Sequence, residues 1–378
     1  MFPKHIVFFS IVLSLGAGMS EAKKCDCSTP TPTATSPPLT NSRSETRTIA
    51  IKNMCSFDVE VGFTGGFAGS SPCKGNQVED VGGERCFWSL ELTNFLEAGQ
   101  ETVVEIEKND DADNDVVWSG ALYAIQSPYM DEACPDGCSA SVGAGGTVTF
   151  AEFTMLANPT LAYYDVSHVH GANIPMTFGV STESSDENDP YRNGVAGGEC
   201  SWEFEPPEEY RKYLIEVKNV HGSCSSDDEC DAGEVCGASF IGDTPVYGTC
   251  GVLFGYVNAH TNCIAGSHGY PFFCEDYHDL YGCSGQYSES GYSQSVASAE
   301  NVCGCSDYAD LGIPSSFPCV SSNPLWVDKA YPWIEYIKEG CPSAYEYAYS
   351  DSTSTFTSDS DTFELVFCPG DSEKRFYG

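Results

Sequence analysis

The stretch that decides the fold is Ile49-Ala-Ile-Lys-Asn-Met-Cys-Ser-Phe-Asp-Val-Glu-Val-Gly-Phe63. Apolar residues take nearly every second position in it, which is the period of a strand with one buried face. The same alternation returns in Val104–Ile106, in Val148–Phe150 and in Phe363–Phe367, with Gly- and Asp-rich joints between these segments. Because such segments stand near both ends of the chain and no long helical period lies between them, the sequence predicts a β-sandwich whose terminal strands pair.

The composition excludes several classes of protein. The chain has 378 residues, with 17 basic and 55 acidic side chains and a net charge of −38. That charge repels phosphate backbones and anionic lipid surfaces, so we do not expect a nucleic-acid partner. Since no stretch approaches eighteen apolar residues, we do not expect membrane insertion either. A hydrophobic fraction of 41% is too high for a disordered acidic chain. Twenty cysteines indicate a disulfide framework made in an oxidising compartment, which excludes a cytosolic enzyme.

The N-terminal residues agree with the cysteine content. Residues 1–22 have a positive end, a short apolar run at Ile6–Leu15 and small residues near Ala22, which is the pattern of a cleaved signal peptide. Residues 23–46 are rich in Pro, Thr and Ser and are predicted to be a linker. That linker contains Cys25 and Cys27, and the sequence names no partner for either beyond the other. We therefore predict a secreted, extracellular protein.

A cysteine-rich region interrupts the strand pattern. Residues 181–330 contain eleven cysteines and little periodicity, so disulfides must there replace an apolar core. The best helix candidate follows this region at Trp333–Lys338, where Pro332 precedes it and Gly340 can supply the C-terminal cap.

Several segments together resemble one known family, the thaumatin-like (osmotin-like, pathogenesis-related) proteins. These segments, in chain order, are Ile51–Phe57, Thr149–Thr154, Tyr164–Ser167, Gly171–Met176, Cys341–Tyr345, Ser352–Thr357 and Val366–Pro369. The resemblance implies a mainly β fold, an antiparallel thaumatin-like β-sandwich with a disulfide-rich, loop-rich second domain. On that basis the sandwich is expected over 47–180 plus 342–370, with a cysteine-rich inserted domain over 181–341 and a polar tail over 371–378.

The resemblance also implies part of the disulfide framework. The family joins its first and last cysteines. One other family pair is absent here with both its members, and two further pairs each lack one member, so that the remaining two cysteines can bond each other. The implied bonds are Cys55–Cys368, Cys134–Cys138 and Cys200–Cys341, with an additional Cys73–Cys86 pair in an insertion. Ten cysteines between 224 and 319 remain, and the sequence does not give their pairing.

Acidic side chains are the candidates for chemistry. Thaumatin-like proteins have an acidic cleft built from one Arg, one Glu and three Asp. Glu152 and Asp165 match the Glu and the first Asp, and Asp351 matches the last. His170 stands where the middle Asp is expected, and Gly120 stands at the Arg position. Glycoside hydrolysis needs an acid and a second carboxylate, so Glu152, its pKa raised by the nearby Asp165, could act as the acid with Asp165 as its partner.

The two replacements favour binding over turnover. The resemblance implies a secreted binder of β-1,3-glucan or a related wall polysaccharide, through Glu152, Asp165, His170 and Asp351, in defence or wall remodelling. A weak endo-β-1,3-glucanase is the first alternative, and a protein-binding inhibitor of a secreted hydrolase is the second. We expect a monomer without a cofactor.

Other motifs support no metal site. His168-Val-His170 places two imidazoles on one face if the strand is regular, but two ligands are half of a site. Asp111–Asp115 imitates a calcium loop, yet it lacks the required Gly and closing Glu. Cys224, Cys230 and Cys236 are spaced as in a small extracellular disulfide knot rather than a zinc site. The aromatic stretch Tyr270–Tyr277 could stack on sugars, although aromatics in a loop-rich domain more often form its core.

Overall fold

The structure is a computed structural model. It describes residues 46–65, 67–70, 77–79, 85–88, 95–107, 116–129, 147–156, 161–181, 191–241, 244–258, 331–347, 350 and 353–377. Several predictions lie outside the residues or side chains described: the signal peptide, the linker, Asp351, the Cys73–Cys86 and Cys134–Cys138 bonds, the loop at 111–115 and the aromatic stretch at 270–277.

The described part of the chain is mostly strand. The strands, in chain order, are β1 Thr46–Asn53, β2 Val59–Gly65, β3 Phe67–Ser70, β4 Gln77–Glu79, β5 Arg85–Trp88, β6 Phe95–Leu96, β7 Glu101–Glu107, β8 Val116–Gln126, β9 Phe150–Leu156, β10 Leu161–Ser167, β11 Met176–Val180, β12 Val195–Ala196, β13 Ile215–Ser223, β14 Val235–Ile241, β15 Thr244–Tyr256, β16 Ala344–Tyr345, β17 Phe356–Ser358 and β18 Thr362–Phe367. The helices are α1 Arg211–Leu214, α2 Glu335–Gly340 and α3 Ser372–Tyr377.

Two sheets enclose the main core. The first sheet has the order β12-β11-β18-β1-β7, and the second has the order β16-β10-β9-β8-β2-β6, with β17 also paired to β10. Alternate residues of both sheets are buried in one apolar cluster, which includes Ile49, Leu122, Phe153, Tyr164 and Phe178. This arrangement confirms the predicted mainly β sandwich, because each sheet covers its apolar face with the other.

The two ends of the sandwich sequence meet in the first sheet. Strand β1 pairs with β18, with Ile49 opposite Phe363 and Ile51 opposite Leu365. The predicted pairing of the terminal strands is therefore confirmed, and this pair is parallel, whereas β1 and β7 run antiparallel. Just beyond the pair, a disulfide joins Cys55 to Cys368.

The opening apolar stretch belongs to both sheets. Its first half is β1 in the first sheet, and its second half is β2, which pairs with β8 in the second sheet. The chain changes sheets in the short segment around Cys55. There the Asn53 side-chain amide donates to the carbonyls of Phe57 and Leu96, and the Asn53 side-chain oxygen accepts from the Cys55 N–H. These bonds satisfy the backbone where no ladder partner exists.

Strands β13, β14 and β15 form a separate small closed barrel. Two disulfides stabilise it, Cys224–Cys236 and Cys230–Cys250. They give the pairing of four of the ten cysteines whose partners the sequence does not identify. A further bond joins Cys200 to Cys341. Because these cysteines are oxidised in pairs, their sulfur atoms hold the fold and do not ligate metal.

The helices depart from the sequence predictions at two places. Helix α2 runs to Gly340 itself, and a Cβ at Gly340 would lie 2.4 Å from the Phe204 ring, so this glycine permits close packing rather than capping the helix. Residues 372–377, predicted as a polar tail, form α3, whose Phe376 is buried in the main core. None of the helices in the described part of the chain is long and apolar enough to cross a bilayer.

Candidate functional site

The second sheet has two faces with different surroundings. Along β9, Ala151, Phe153 and Met155 face the sandwich core, so strand alternation turns Phe150 and Glu152 to the opposite face. We call this opposite side of β8, β9 and β10 the outer face. This alternation tells which candidate residues of these three strands lie on the outer face and which face the core.

Glu152 and Asp165 lie side by side on the outer face. They are direct partners in the antiparallel β9–β10 ladder, and both side chains are partly buried. Directly opposed residues of such a ladder have Cβ atoms about 4.5–5.5 Å apart, so the two carboxyl groups share one small region. The structure therefore brings together the two acidic residues that the resemblance selected.

Burial raises the pKa of Glu152 above its ordinary value, and a hydrogen bond with the Ser167 side chain acts in the opposite direction. The sequence predicts the rise but assigns it to the Asp165 charge, whereas the principal cause is removal of the carboxylate from water. A carboxyl group in this state is more readily protonated than a solvated one. Such a group can donate a hydrogen bond to a sugar hydroxyl as well as accept one.

On the side away from Asp165, the described neighbour of Glu152 in the sheet is an uncharged residue of β8. In the β8–β9 ladder the residue opposite Glu152 is Ala121, while Gly120 is opposite Phe153. Since Phe153 faces the core, alternation places position 120 on the core side of β8. The arginine that the resemblance leads us to expect is therefore not replaced by a basic side chain at the β8 position opposite Glu152.

An aromatic cluster adjoins the acidic pair. Tyr123 and Phe150 pack edge-to-face with ring centroids 5.5 Å apart, and Tyr129 packs in the same way against Phe254 of β15 at 5.9 Å. All four rings belong to one buried apolar cluster. The small barrel is therefore packed on part of the outer face, next to Glu152.

A buried ion pair strengthens this contact between barrel and sheet. Lys218 Nζ lies 3.0 Å from Glu216 Oε1 and 4.9 Å from the centre of the Phe254 ring. Glu216 Oε2 accepts a hydrogen bond from the Thr147 backbone N–H at 3.2 Å, at the entrance to β9. Each charge is satisfied by a partner, as buried charges require.

His170 is an uncharged ring at the edge of the aromatic cluster. It packs edge-to-face on Phe150, with centroids 5.3 Å apart, and burial lowers its pKa to about 4. An imidazole with that pKa is a weak base at neutral pH, so His170 does not reproduce the carboxylate that the family has at this position.

His168 and His170 do not form half of a metal site. The prediction assumes a regular strand through both residues, but β10 ends at Ser167 and the Gly171 N–H bonds to the His168 carbonyl in a turn. The His168 ring consequently packs against Trp202 and Phe204 of the main core, away from the Phe150 cluster.

Sequence reasoning missed three residues near the site. Ser167, which bonds Glu152, lies two residues after Asp165, and period 2 places it on the same face. The alternation through Tyr164-Asp-Val-Ser167 could have identified it. The Glu216–Lys218 pair has no comparable sequence signal, because a Glu-x-Lys pattern on a strand is ordinarily exposed.

Comparisons with known proteins agree with the sequence resemblance. The chain is 34% identical over 77 residues to pathogenesis-related protein 5 of Arabidopsis thaliana, which covers 20% of the chain and 31% of that protein. It is 31% identical over 88 residues to thaumatin-like protein 1 of Castanea sativa, covering 23% and 34%. A shorter match, 49% identical over 37 residues, links it to pathogenesis-related thaumatin-like protein 3.5 of Cryptomeria japonica, covering 10% and 15%.

These matches are partial. Each spans about a third or less of the relative's own length. No protein-family model matches the chain.

Proposed function

Because the chain is thaumatin-like in sequence and in its β-sandwich, we propose that it is a secreted defence-related protein that binds β-1,3-glucan or a related wall polysaccharide. The observation that carries the proposal is the directly opposed pair Glu152 and Asp165 on the outer face, where both side chains are only partly buried. Paired carboxyl groups suit the vicinal hydroxyls of a sugar, because carboxylate oxygens accept hydrogen bonds and a protonated carboxyl group can also donate one.

Secretion is supported by the signal-like residues 1–22 and by the disulfides. Four bonds are formed within the described residues, and bonds of this kind persist in oxidising compartments. Expression with the native N-terminus in a eukaryotic host should therefore deliver the protein to the medium without residues 1–22.

Hydrolysis is the weaker alternative. In its favour, burial raises the pKa of Glu152, which is a property of a general acid. Against it, His170 occupies the position of the family's further Asp and Gly120 that of the family's Arg, so two of the charged groups of the family cleft are absent. His170, with a pKa of about 4, and Ala121 supply no substitute.

The test uses the mature protein with insoluble β-1,3-glucan, and with cellulose and chitin as controls. Depletion from the supernatant and release of reducing ends are measured in the same tubes. We expect selective depletion by β-1,3-glucan without sugar release. Glu152→Gln should weaken binding severalfold at most, because the amide still hydrogen-bonds hydroxyl groups.

The matched control is Glu105→Gln, an exposed residue on β7 with the same change of charge. It should bind as the native protein does. Sugar release that disappears in Glu152→Gln would establish the glucanase instead. Absence of depletion on every polymer would reject both and direct the search to a protein partner.

A further inference from the structure

The small barrel carries a tight turn with two carboxylates. In Cys230-Asp-Ala-Gly-Glu234 the Glu234 N–H donates to the Asp231 carbonyl at 3.0 Å, closing a four-residue turn. Gly233 has φ +89°, which the third position of such a turn requires and which glycine adopts without strain. The turn brings the side chains of Asp231 and Glu234 to one place.

An imidazole from the neighbouring strand meets them. His221 on β13 lies opposite Cys250 of β15, and Cys250 is bonded to Cys230, the residue just before the turn. On the other side of the turn, Cys236 is bonded to Cys224. Two covalent bonds therefore fix the turn against the strand that supplies the histidine.

The three donor atoms have the spacing of a metal site. His221 Nε2 is 3.6 Å from Asp231 Oδ2 and 3.3 Å from Glu234 Oε2, and all three atoms lie within 4.8 Å of one another. Ligands of tetrahedral zinc, bound at about 2.0–2.2 Å, are about 3.3–3.6 Å apart. Two carboxylates converge on one ring nitrogen, and a single N–H can serve only one of them.

Burial and exposure divide the cluster into a closed side and an open side. Glu234 Oε2 is buried, and its contact with His221 Nε2 at 3.3 Å does not have hydrogen-bond geometry among the described residues, so a cation bound between the two atoms would satisfy both. The side chains of His221 and Asp231 are 50% and 88% exposed. A cation held there can enter from solvent and keep water at its remaining positions.

We propose that His221, Asp231 and Glu234 form a binding site for a divalent transition metal of the zinc type. The imidazole nitrogen selects such an ion over Ca²⁺ and Mg²⁺, which prefer all-oxygen sites. The net charge of −38 attracts cations to the whole molecule, while the His-carboxylate set determines which one is held. The site is independent of the glucan-binding proposal, since it lies at the barrel's own turn.

The test is titration calorimetry of the mature, disulfide-intact protein with Zn²⁺ after removal of metals by a chelator. We expect a zinc site whose affinity falls at least tenfold in His221→Ala and in Asp231→Asn. Asp228→Asn is the matched control, because Asp228 is exposed in the same stapled segment and loses the same charge. Zinc affinity in this control should stay within twofold of the native value.

Three results would overturn the proposal. Equal losses in Asp228→Asn and Asp231→Asn would mean that only overall charge matters. Unchanged affinity in both His221→Ala and Asp231→Asn would place the zinc elsewhere, and equal affinity for Ca²⁺ would exclude the imidazole as a ligand. Near-ultraviolet circular dichroism of each variant verifies that the fold is retained.

Discussion

His168 is a fully buried histidine inside the sandwich core. Its ring packs edge-to-face on Trp202 and Phe204, and neither ring nitrogen has a hydrogen-bond partner among the described residues. Burial, and secondarily the positive charge of Lys338, lowers the pKa of His168 to about 3. The ring is therefore neutral in the folded protein over most of the acid range.

Because His168 is buried and neutral, we predict that mild acid lowers the free energy of unfolding. Since the pKa of an unfolded histidine is about 6.5, the unfolded chain takes up a proton below that pH while the folded chain does not. The resulting loss of unfolding free energy is negligible well above pH 6.5 and grows as the pH falls toward 3. Between pH 7 and pH 5 it should amount to about 2 kcal/mol, measured by urea unfolding.

The variant His168→Phe separates this effect from other titrating groups. Phenylalanine keeps an aromatic ring in the same apolar surroundings but takes up no proton, so the loss between pH 7 and pH 5 should shrink by about 2 kcal/mol. His221→Gln, which changes an exposed histidine, serves as the control in the presence of a chelator. An acid sensitivity that persists unchanged in His168→Phe would contradict the prediction.

At the scale of elements, the sequence predicts what depends on local alternation and misses what depends on distant contacts. The strands β1 and β18 follow from period 2, because burying every second side chain is a local property. The change of sheet between β1 and β2 cannot be predicted from period 2, since the alternation is the same in both strands. The end of β10 at Ser167 is likewise set by its neighbours, and it is what separates His168 from His170.

The two candidate sites also differ in how far the sequence predicts them. Resemblance selects Glu152 and Asp165, and the register of the antiparallel β9–β10 ladder places them opposite each other. The burial of Glu152 arises from the rest of the fold and has no sequence signal. The cluster of His221, Asp231 and Glu234 depends on which cysteines pair, and ten cysteines permit too many pairings for the sequence to identify it.

The disulfides differ in what they contribute to the elements they join. Cys55–Cys368 closes a separation of 313 residues at the β1–β18 pair, while Cys224–Cys236 closes 12 residues in the barrel. In the chain-entropy model the longer loop stabilises more, although the Cys200–Cys341 bond shortens it. The pair variant Cys55→Ala/Cys368→Ala should lose about 2 kcal/mol more unfolding free energy than Cys224→Ala/Cys236→Ala.

Urea unfolding at pH 7, followed by near-ultraviolet circular dichroism, measures both variants. An equal or larger loss in the barrel variant would mean that the ends of the sandwich are held mainly by the β1–β18 ladder and its buried side chains.

At the scale of the whole molecule, charge distinguishes among wall polymers. The net charge of −38 repels any polyanion, and this repulsion reaches about 30 Å at 0.01 M salt but only about 8 Å at 0.15 M. A neutral glucan has no charges to repel or counterions to release. Recognition of it therefore rests on uncharged contacts, chiefly hydrogen bonds to sugar hydroxyls, which depend little on ionic strength.

We accordingly expect depletion by β-1,3-glucan to change less than twofold between about 0.01 M and about 0.15 M salt, since screening alters only charge–charge interactions. Polygalacturonate, a polyanion, should retain no protein at the lower salt concentration. The same supernatant assay measures both polymers. Retention on polygalacturonate that falls as salt rises would reveal a basic binding surface that the composition argues against, and the outer face with Glu152 and Asp165 would then not be the surface that binds the wall.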